Sequence, residues 1–200
     1  MSLFTLTSPS EGFFKDRGSK FLSFAFPVQN EEEVKENLSQ LKLSYPDARH
    51  ICYAFVLGAD QNVYRASDDG EPSNSAGAPI LGQLRSNNLT NVLVAVVRYF
   101  GGTKLGVPGL IKAYRESTND AIKQSRLLAY EEMSRLKLVF NYDQSGMVDQ
   151  LVGLFDELQI DKVFEAQCTF TFRMPKRVVA RFIEEAKARR LEVKGVSTQK

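Results

Sequence analysis

Only two cysteines and one histidine occur among the 200 residues. Cys52 and Cys168 lie 116 positions apart with no CxxC partner, so no Cys/His zinc pattern is present and both thiols are expected to be reduced and buried. Long apolar runs are lacking as well. The longest, Val92 to Val97, has the length of a strand, far below the roughly 18 residues of a membrane helix. Met1 to Thr7 offers neither a basic start nor an apolar stretch long enough for a secretory signal, so the expected location is cytoplasmic. Nor is there an excess of one charge: 26 basic against 24 acidic residues argues against a histone-like polyanion binder and leaves local patches open. What is present is ordinary for a soluble folded chain, 43% hydrophobic and 25% charged. A chain of this size can bury a core without metal or disulfide support.

The patterning predicts an α+β protein of two domains, residues 1–130 and 131–200. Ser8 to Phe14 and Lys20 to Val28 read as a hairpin around Asp16-Arg17-Gly18, with Gly18 available for positive φ and Pro27 at a strand exit. Asn30 and Glu33 have capping-box spacing, and Val34, Leu38, Leu41 and Tyr45 form one helical stripe that Pro46 ends. A second hairpin joins Arg49–Leu57 to Asn62–Ser67, followed by a polar loop, Asp68 to Gly77, and a short helix after Pro79. Val92 to Val97 is apolar at every position, as in a strand covered on both faces. A Gly-containing loop over Gly101–Gly109 then leads to a helix over Leu110–Ile122. Helix and strand signals lapse over 127–132. Beyond, Leu136–Phe140, a helix over Met147–Leu158, Ile160–Glu165, Cys168–Met174, a helix after Pro175 and Leu191–Val196 give β-α-β-β-α-β, the ferredoxin-like order. Phe170 and Phe172 share the inward face with Cys168 and Met174, which leaves no aromatic platform for stacked bases.

Several groups of residues could carry chemistry. Arg98-Tyr99-Phe100-Gly101-Gly102-Thr103-Lys104-Leu105-Gly106 follows the most apolar strand and precedes a helix, where backbone N–H groups and cations can meet an anion. It is neither a GxxxxGK[ST] loop nor a GxGxxG loop, and its glycines could equally serve close packing under the helix. From Arg98 to Arg126, six basic residues, Lys112 and Arg115 among them, face two acidic ones, a phosphate-backbone footprint unless Lys112–Glu116 and Glu116–Asp120 make a solvated helix face. Arg173 to Arg190 is a second basic run, with seven cations and two acids. Asp68, Asp69 and Glu71 could hold a hard cation or act as acid and base, yet Asp-Gly and Glu-Pro are also turn formers. His50 and Cys52 share one strand face, but a thiol inside an apolar run is a poor nucleophile.

Over His50 to Ser67, Asp68-Asp69-Gly70-Glu71-Pro72-Ser73, Ala76-Gly77-Ala78-Pro79 and Arg98 to Gly106, the chain resembles the IMPACT family in its bacterial YigZ branch. The resemblance spans most of residues 11–123. It implies a first domain like domain 2 of ribosomal protein S5 and a second like domain V of elongation factor G, a pairing that points to translation. It further implies that bacterial members bind nucleic acid or ribosomes, and that eukaryotic relatives restrain the amino-acid-starvation response by competing for the activator of its kinase. The motif residues that carry over are His50, Arg65, Asp68, Asp69, Glu71, Arg98, Gly101, Gly102, Lys104 and Gly106, while Asn74 and Pro108 stand where the pattern has glycine. The expected protein is therefore a non-enzymatic factor binding RNA or the ribosome, with no cofactor and no membrane association. The alternatives are a small metal-dependent hydrolase built on Asp68, Asp69, Glu71 and His50, and a module that binds a translation-regulatory protein.

Overall fold

The computed structural model describes residues 2–198, with backbone only for 196–198. Two compact units divide the chain, Met1–Tyr130 and Glu131–Lys200. In the first unit the strands are β1 (Phe4–Leu6), β2 (Ser10–Asp16), β3 (Ser19–Pro27), β4 (His50–Leu57), β5 (Val63–Ser67), β6 (Val92–Tyr99) and β7 (Leu127–Ala129). The helices are α1 (Glu31–Ser44), α2 (Gly77–Ser86) and α3 (Gly106–Gln124). Five strands form one antiparallel sheet in the order β2-β3-β6-β4-β5.

The valine run explains the middle of that sheet. Val92, Val94 and Val96 are fully buried on the face covered by Ile80 and Leu84 of α2 and by Leu110, Ala113 and Tyr114 of α3. Leu93, Ala95 and Val97, equally buried, meet the other face, where Val34, Leu38 and Leu41 of α1 pack. At about 1.5–3 kcal/mol for each fully buried aliphatic side chain, these six positions anchor both layers of the unit. Local signals fix the ends of the elements. Arg17 and Gly18, at φ 43° and 81°, make the two-residue β2–β3 turn. Asn30 Oδ1 accepts the Glu33 backbone N–H at 2.9 Å and Glu33 Oε2 accepts that of Gln29 at 2.8 Å, locking the start of α1.

Several boundaries differ from expectation; α2, expected after Pro79, begins at Gly77, because a proline in the first helical turn forfeits no intrahelical bond, and the last strand runs over Val193–Thr198 instead of Leu191–Val196. The helix expected over Leu110–Ile122 begins at Gly106, because first-turn N–H groups have no intrahelical acceptor and Pro108 there sacrifices no bond. Residues 127–129, in the stretch where signals lapse, are a strand: β7 pairs with β1 from the other end of the unit, and two three-residue segments carry no period to read. In the second unit, the helix expected over Met147–Leu158 stops at Val152, and Phe155 reaches the core from the turn that follows.

That second unit contains β8 (Met133–Phe140), α4 (Ser145–Val152), β9 (Gln159–Phe164), β10 (Cys168–Pro175), α5 (Lys176–Ala188) and β11 (Val193–Thr198). Its sheet is antiparallel with the order β11-β8-β10-β9, the ferredoxin-like arrangement of β-α-β-β-α-β. Leu136, Leu138, Cys168, Phe170, Phe172 and Met174 pack under Val148 and Leu151 of α4 and Phe182 and Ala186 of α5.

Candidate functional site

One end of the first unit's sheet brings together most of the motif residues. His50 pairs with Arg98 across β4 and β6, on the face that Cys52 and α3 share. The loop from β5 folds over this end. Glu71, 9% exposed, accepts an ion pair from Arg98 Nη1 at 2.5 Å and a hydrogen bond from the Tyr114 hydroxyl at 2.8 Å. The Cys52 thiol lies 3.2 Å from the Tyr114 oxygen and 3.0 Å from the Asp68 carbonyl. Burial, reinforced by Glu71, Asp69 and Asp68 against the opposing effect of the Tyr114 contact, pushes the Cys52 thiol up to about 12. Burial likewise raises Tyr114 above the usual phenol range, so its hydroxyl remains a donor to Glu71.

The loop's acids hold the loop. Asp68 Oδ1 accepts the N–H groups of Ala76 and Gly77 at 2.9 Å each, and Oδ2 accepts that of Asn74 at 2.8 Å. Asp68 thus caps the start of α2, whose own N-cap, Ala76, has no side-chain acceptor. Burial alone would raise its pKa, and the three donors outweigh burial to leave it below the ordinary carboxylate value. Asp69 Oδ2 accepts the Ile51 N–H at 2.7 Å, while its carbonyl lies 2.7 Å from His50 Nδ1. Asn74 adopts φ 61°, a left-handed conformation that asparagine tolerates, which accounts for its standing where the resemblance has glycine. Among the described residues no group of three His, Cys, Asp or Glu side chains is arranged to hold a metal. His50 and Cys52 do share a face, but a thiol titrating near 12 is not an available nucleophile.

Arg98 departs most from its sequence reading. It is 8% exposed and neutralised by Glu71, with its guanidinium carbon 5.5 Å and 5.8 Å from the Phe21 and Phe100 ring centroids. It is therefore a structural cation rather than a surface contact for phosphate. Its buried Nε has no partner among the described residues. Gly101 is also explained by packing, since a Cβ there would lie 1.9 Å from the Gly18 carbonyl carbon of the β2–β3 turn. Gly102 in the exposed loop and Gly106 at the first position of α3 carry positive φ, beside Lys104 and a half-exposed Phe100. Arg65 is exposed on β5 opposite Phe55, on the sheet face away from His50, and stands apart from the others.

The remaining cations gather along α3. Lys112, Arg115 and Lys123 recur with Asn119 at three- and four-residue steps on its outer face, with Lys104 before the helix and Arg126 after it. All five are exposed, and none makes an ion pair among the described residues. The Lys112–Glu116 pair that would have made this an ordinary solvated face does not form. Asp120 is engaged by the Phe13 backbone N–H at 2.8 Å. The inner face of α3 is clamped through the Ser23 hydroxyl to the Ser117 carbonyl at 2.6 Å and the Ser10 hydroxyl to the Ala121 carbonyl at 2.9 Å. Within the basic run over Arg173–Arg190, three of the seven cations make ion pairs, Lys176 with Glu132, Arg177 with Glu131 and Glu157, and Arg189 with Glu185, while Arg173, Arg181, Lys187 and Arg190 make none among the described residues. Sequence reasoning missed Tyr114, whose only signal was a phenol on the inward stripe of α3, where a buried hydroxyl needs a partner.

These observations define a two-unit α+β protein with a closed polar cluster at one sheet end and a separate cationic helix face. The Impact N-terminal domain family matches residues 17–122. The chain belongs to the IMPACT family, in the branch of YigZ. It is 33% identical over 166 residues to IMPACT family member YigZ of Escherichia coli, covering 82% of this chain and 81% of that one. It is 32% identical over 148 residues to IMPACT family member YvyE of Bacillus subtilis, covering 74% and 68%. A crystal structure of a hypothetical protein superposes with a TM-score of 0.72 at 30% identity, covering 98% of both chains.

Proposed function

We propose that this protein is a non-catalytic factor of the translation apparatus that binds RNA, free or within the ribosome, through the outer face of α3. The observation that carries the reading is the row of exposed, unpaired cations gathered along one face of α3. Lys104, Lys112, Arg115, Lys123 and Arg126 are exposed and make no ion pair among the described residues, whereas Lys176, Arg177 and Arg189, at the two ends of α5, are held by glutamates. Lys112 to Lys123 spans about 16 Å of helix, the scale of several consecutive phosphates. The first turn of α3 has no side-chain cap, so its N–H groups can also face an anion. The link to translation is what family membership supports, and the closed cluster of His50, Asp68, Asp69, Glu71 and Arg98 serves as the frame that holds this end of the sheet under α3.

The test is a salt titration. Five phosphate contacts give a slope of about −3.5 to −4.5 in log K against log salt, a loss of roughly 100–500-fold between 50 and 200 mM. Neutralising Lys112→Gln together with Arg115→Gln flattens that slope by about 1.4–1.8. Binding that ignores salt, or a slope that the double substitution leaves intact, would sink the proposal.

A further inference from the structure

We infer that the open face of the second unit's sheet is a separate binding surface for the phosphate backbone of RNA, formed by Arg135, Lys137, Arg173 and Lys194. Arg135 and Lys137 are alternate residues of β8, exposed on the face turned away from α4 and α5. The register sets Arg173 of β10 directly opposite Arg135, and Lys194 of β11 directly opposite Lys137. With strands about 4.8 Å apart and alternate residues about 6.8 Å apart, four positive charges fall within a patch of roughly 10 by 7 Å.

Like charges placed directly across a ladder destabilise it. None of the four has an ion pair among the described residues. The nearest acid in the same row is Asp161 on β9, beyond Thr171, which separates it from Lys137. Elsewhere in this unit Lys176, Arg177 and Arg189 meet glutamates, and Lys162, Arg181, Lys187 and Arg190, which make no ion pair among the described residues, are not set opposite another cation in a ladder. Two adjacent like-charge pairs are therefore a specific departure, and a polyanion is the occupant that relieves it. The rest of the face selects the kind of polyanion. Thr169 and Thr171 offer hydroxyls beside the cations, Val139 and Val163 lie to one end, and no aromatic stands between them. The face thus lacks both the desolvated aromatic anchor of a protein interface and a stacking platform for bases, and what remains is contact with phosphates.

This surface is distinct from α3, and the two can be tested side by side on the full chain. The probe is a labelled single-stranded RNA of about 20 nucleotides, titrated at several salt concentrations. Lys137→Gln with Arg173→Gln removes one member of each like-charge pair. The expected result is a slope flatter by about 1.4 and an affinity about 25-fold weaker at 0.1 M salt, with a melting temperature unchanged or raised. Arg135→Gln with Lys194→Gln, which removes the opposite members, should act alike, and the charge-conserving Lys137→Arg with Arg173→Lys should keep the slope. An unchanged slope in both folded neutralised variants overturns the inference, including the case in which the face serves an acidic protein. If Lys112→Gln with Arg115→Gln flattens the slope and the sheet variants do not, the α3 reading stands and this one falls; the reverse result removes the α3 reading and keeps this one.

Discussion

Glu71 and Arg98 are the residues whose removal should damage the first unit most, and the structure sets the scale. Glu71→Leu leaves a guanidinium that is 8% exposed, already has an unpartnered Nε, and has lost its only counter-charge among the described residues. Breaking a buried pair from one side costs about 3–5 kcal/mol. Against the roughly 5–15 kcal/mol that holds a domain together, that is a drop in melting temperature of roughly 10–20 °C for a unit of this size. Arg98→Met, which strands the carboxylate with only the Tyr114 hydroxyl, should cost a similar amount. Glu71→Leu with Arg98→Met removes both charges and should return to within about 1–2 kcal/mol of the parent, the remainder being the lost Tyr114 hydrogen bond. Urea unfolding followed by far-ultraviolet circular dichroism measures all three variants, since the chain has no tryptophan to report by fluorescence. A cost near 1 kcal/mol for either single substitution, typical of exposed pairs, would refute the reasoning, as would a double variant no better than the singles.

Cys52, pushed up to about 12, is only about one part in ten thousand thiolate at pH 8, so the native protein should resist iodoacetamide there and react once unfolded in urea. Rapid alkylation of folded protein at Cys52, read by mass spectrometry, would contradict the closed cluster. Asp68 has a folded pKa below its unfolded one, so its contribution is present above the ordinary carboxylate range and is lost as pH falls through the folded value. Asp68→Asn should therefore destabilise the protein by about 1–2 kcal/mol at neutral pH, with the gap from the parent narrowing from pH 5 towards pH 2. A gap that stays constant over that range would mean that the charge of Asp68 is not what holds Asn74, Ala76 and Gly77.

Local patterns carried the elements; partners distant in sequence did not show. The valine run announced β6 because every position from Val92 to Val97 is apolar and four of the six are β-branched, a length and composition that suit a strand buried on both faces. The basic face of α3 was visible because Lys112, Arg115 and Lys123 keep helical spacing. Arg98 misled because a cation beside a glycine loop looks available, and nothing near it in sequence says that Glu71, 27 positions earlier, will lie against it. Tyr114, 43 positions from Glu71, was hidden for the same reason. The cationic sheet face was invisible for a related one. Arg135, Lys137, Arg173 and Lys194 come from three strands, so no window along the chain contains them, and Arg173 was grouped instead with the α5 run that follows it.

The net charge of +2 is a poor guide to this chain because the fold pairs its charges unevenly. Glu71, Glu131, Glu132, Glu157 and Glu185 are each bound to a specific cation, and Asp68, Asp69 and Asp120 accept backbone N–H groups. Those carboxylates are electrostatically engaged where they stand. At physiological salt, exposed charges influence one another over about 8 Å, so a phosphate approaching α3 or the open sheet responds to the cations beneath it and hardly to glutamates bound elsewhere. What governs polyanion binding is therefore how the exposed cations that make no ion pair are gathered on one face, and not the net charge. Folding gathers such cations on two surfaces while many of the acids are engaged in pairs and caps, so a nearly neutral sequence can present two cationic faces without either unit being basic in sum.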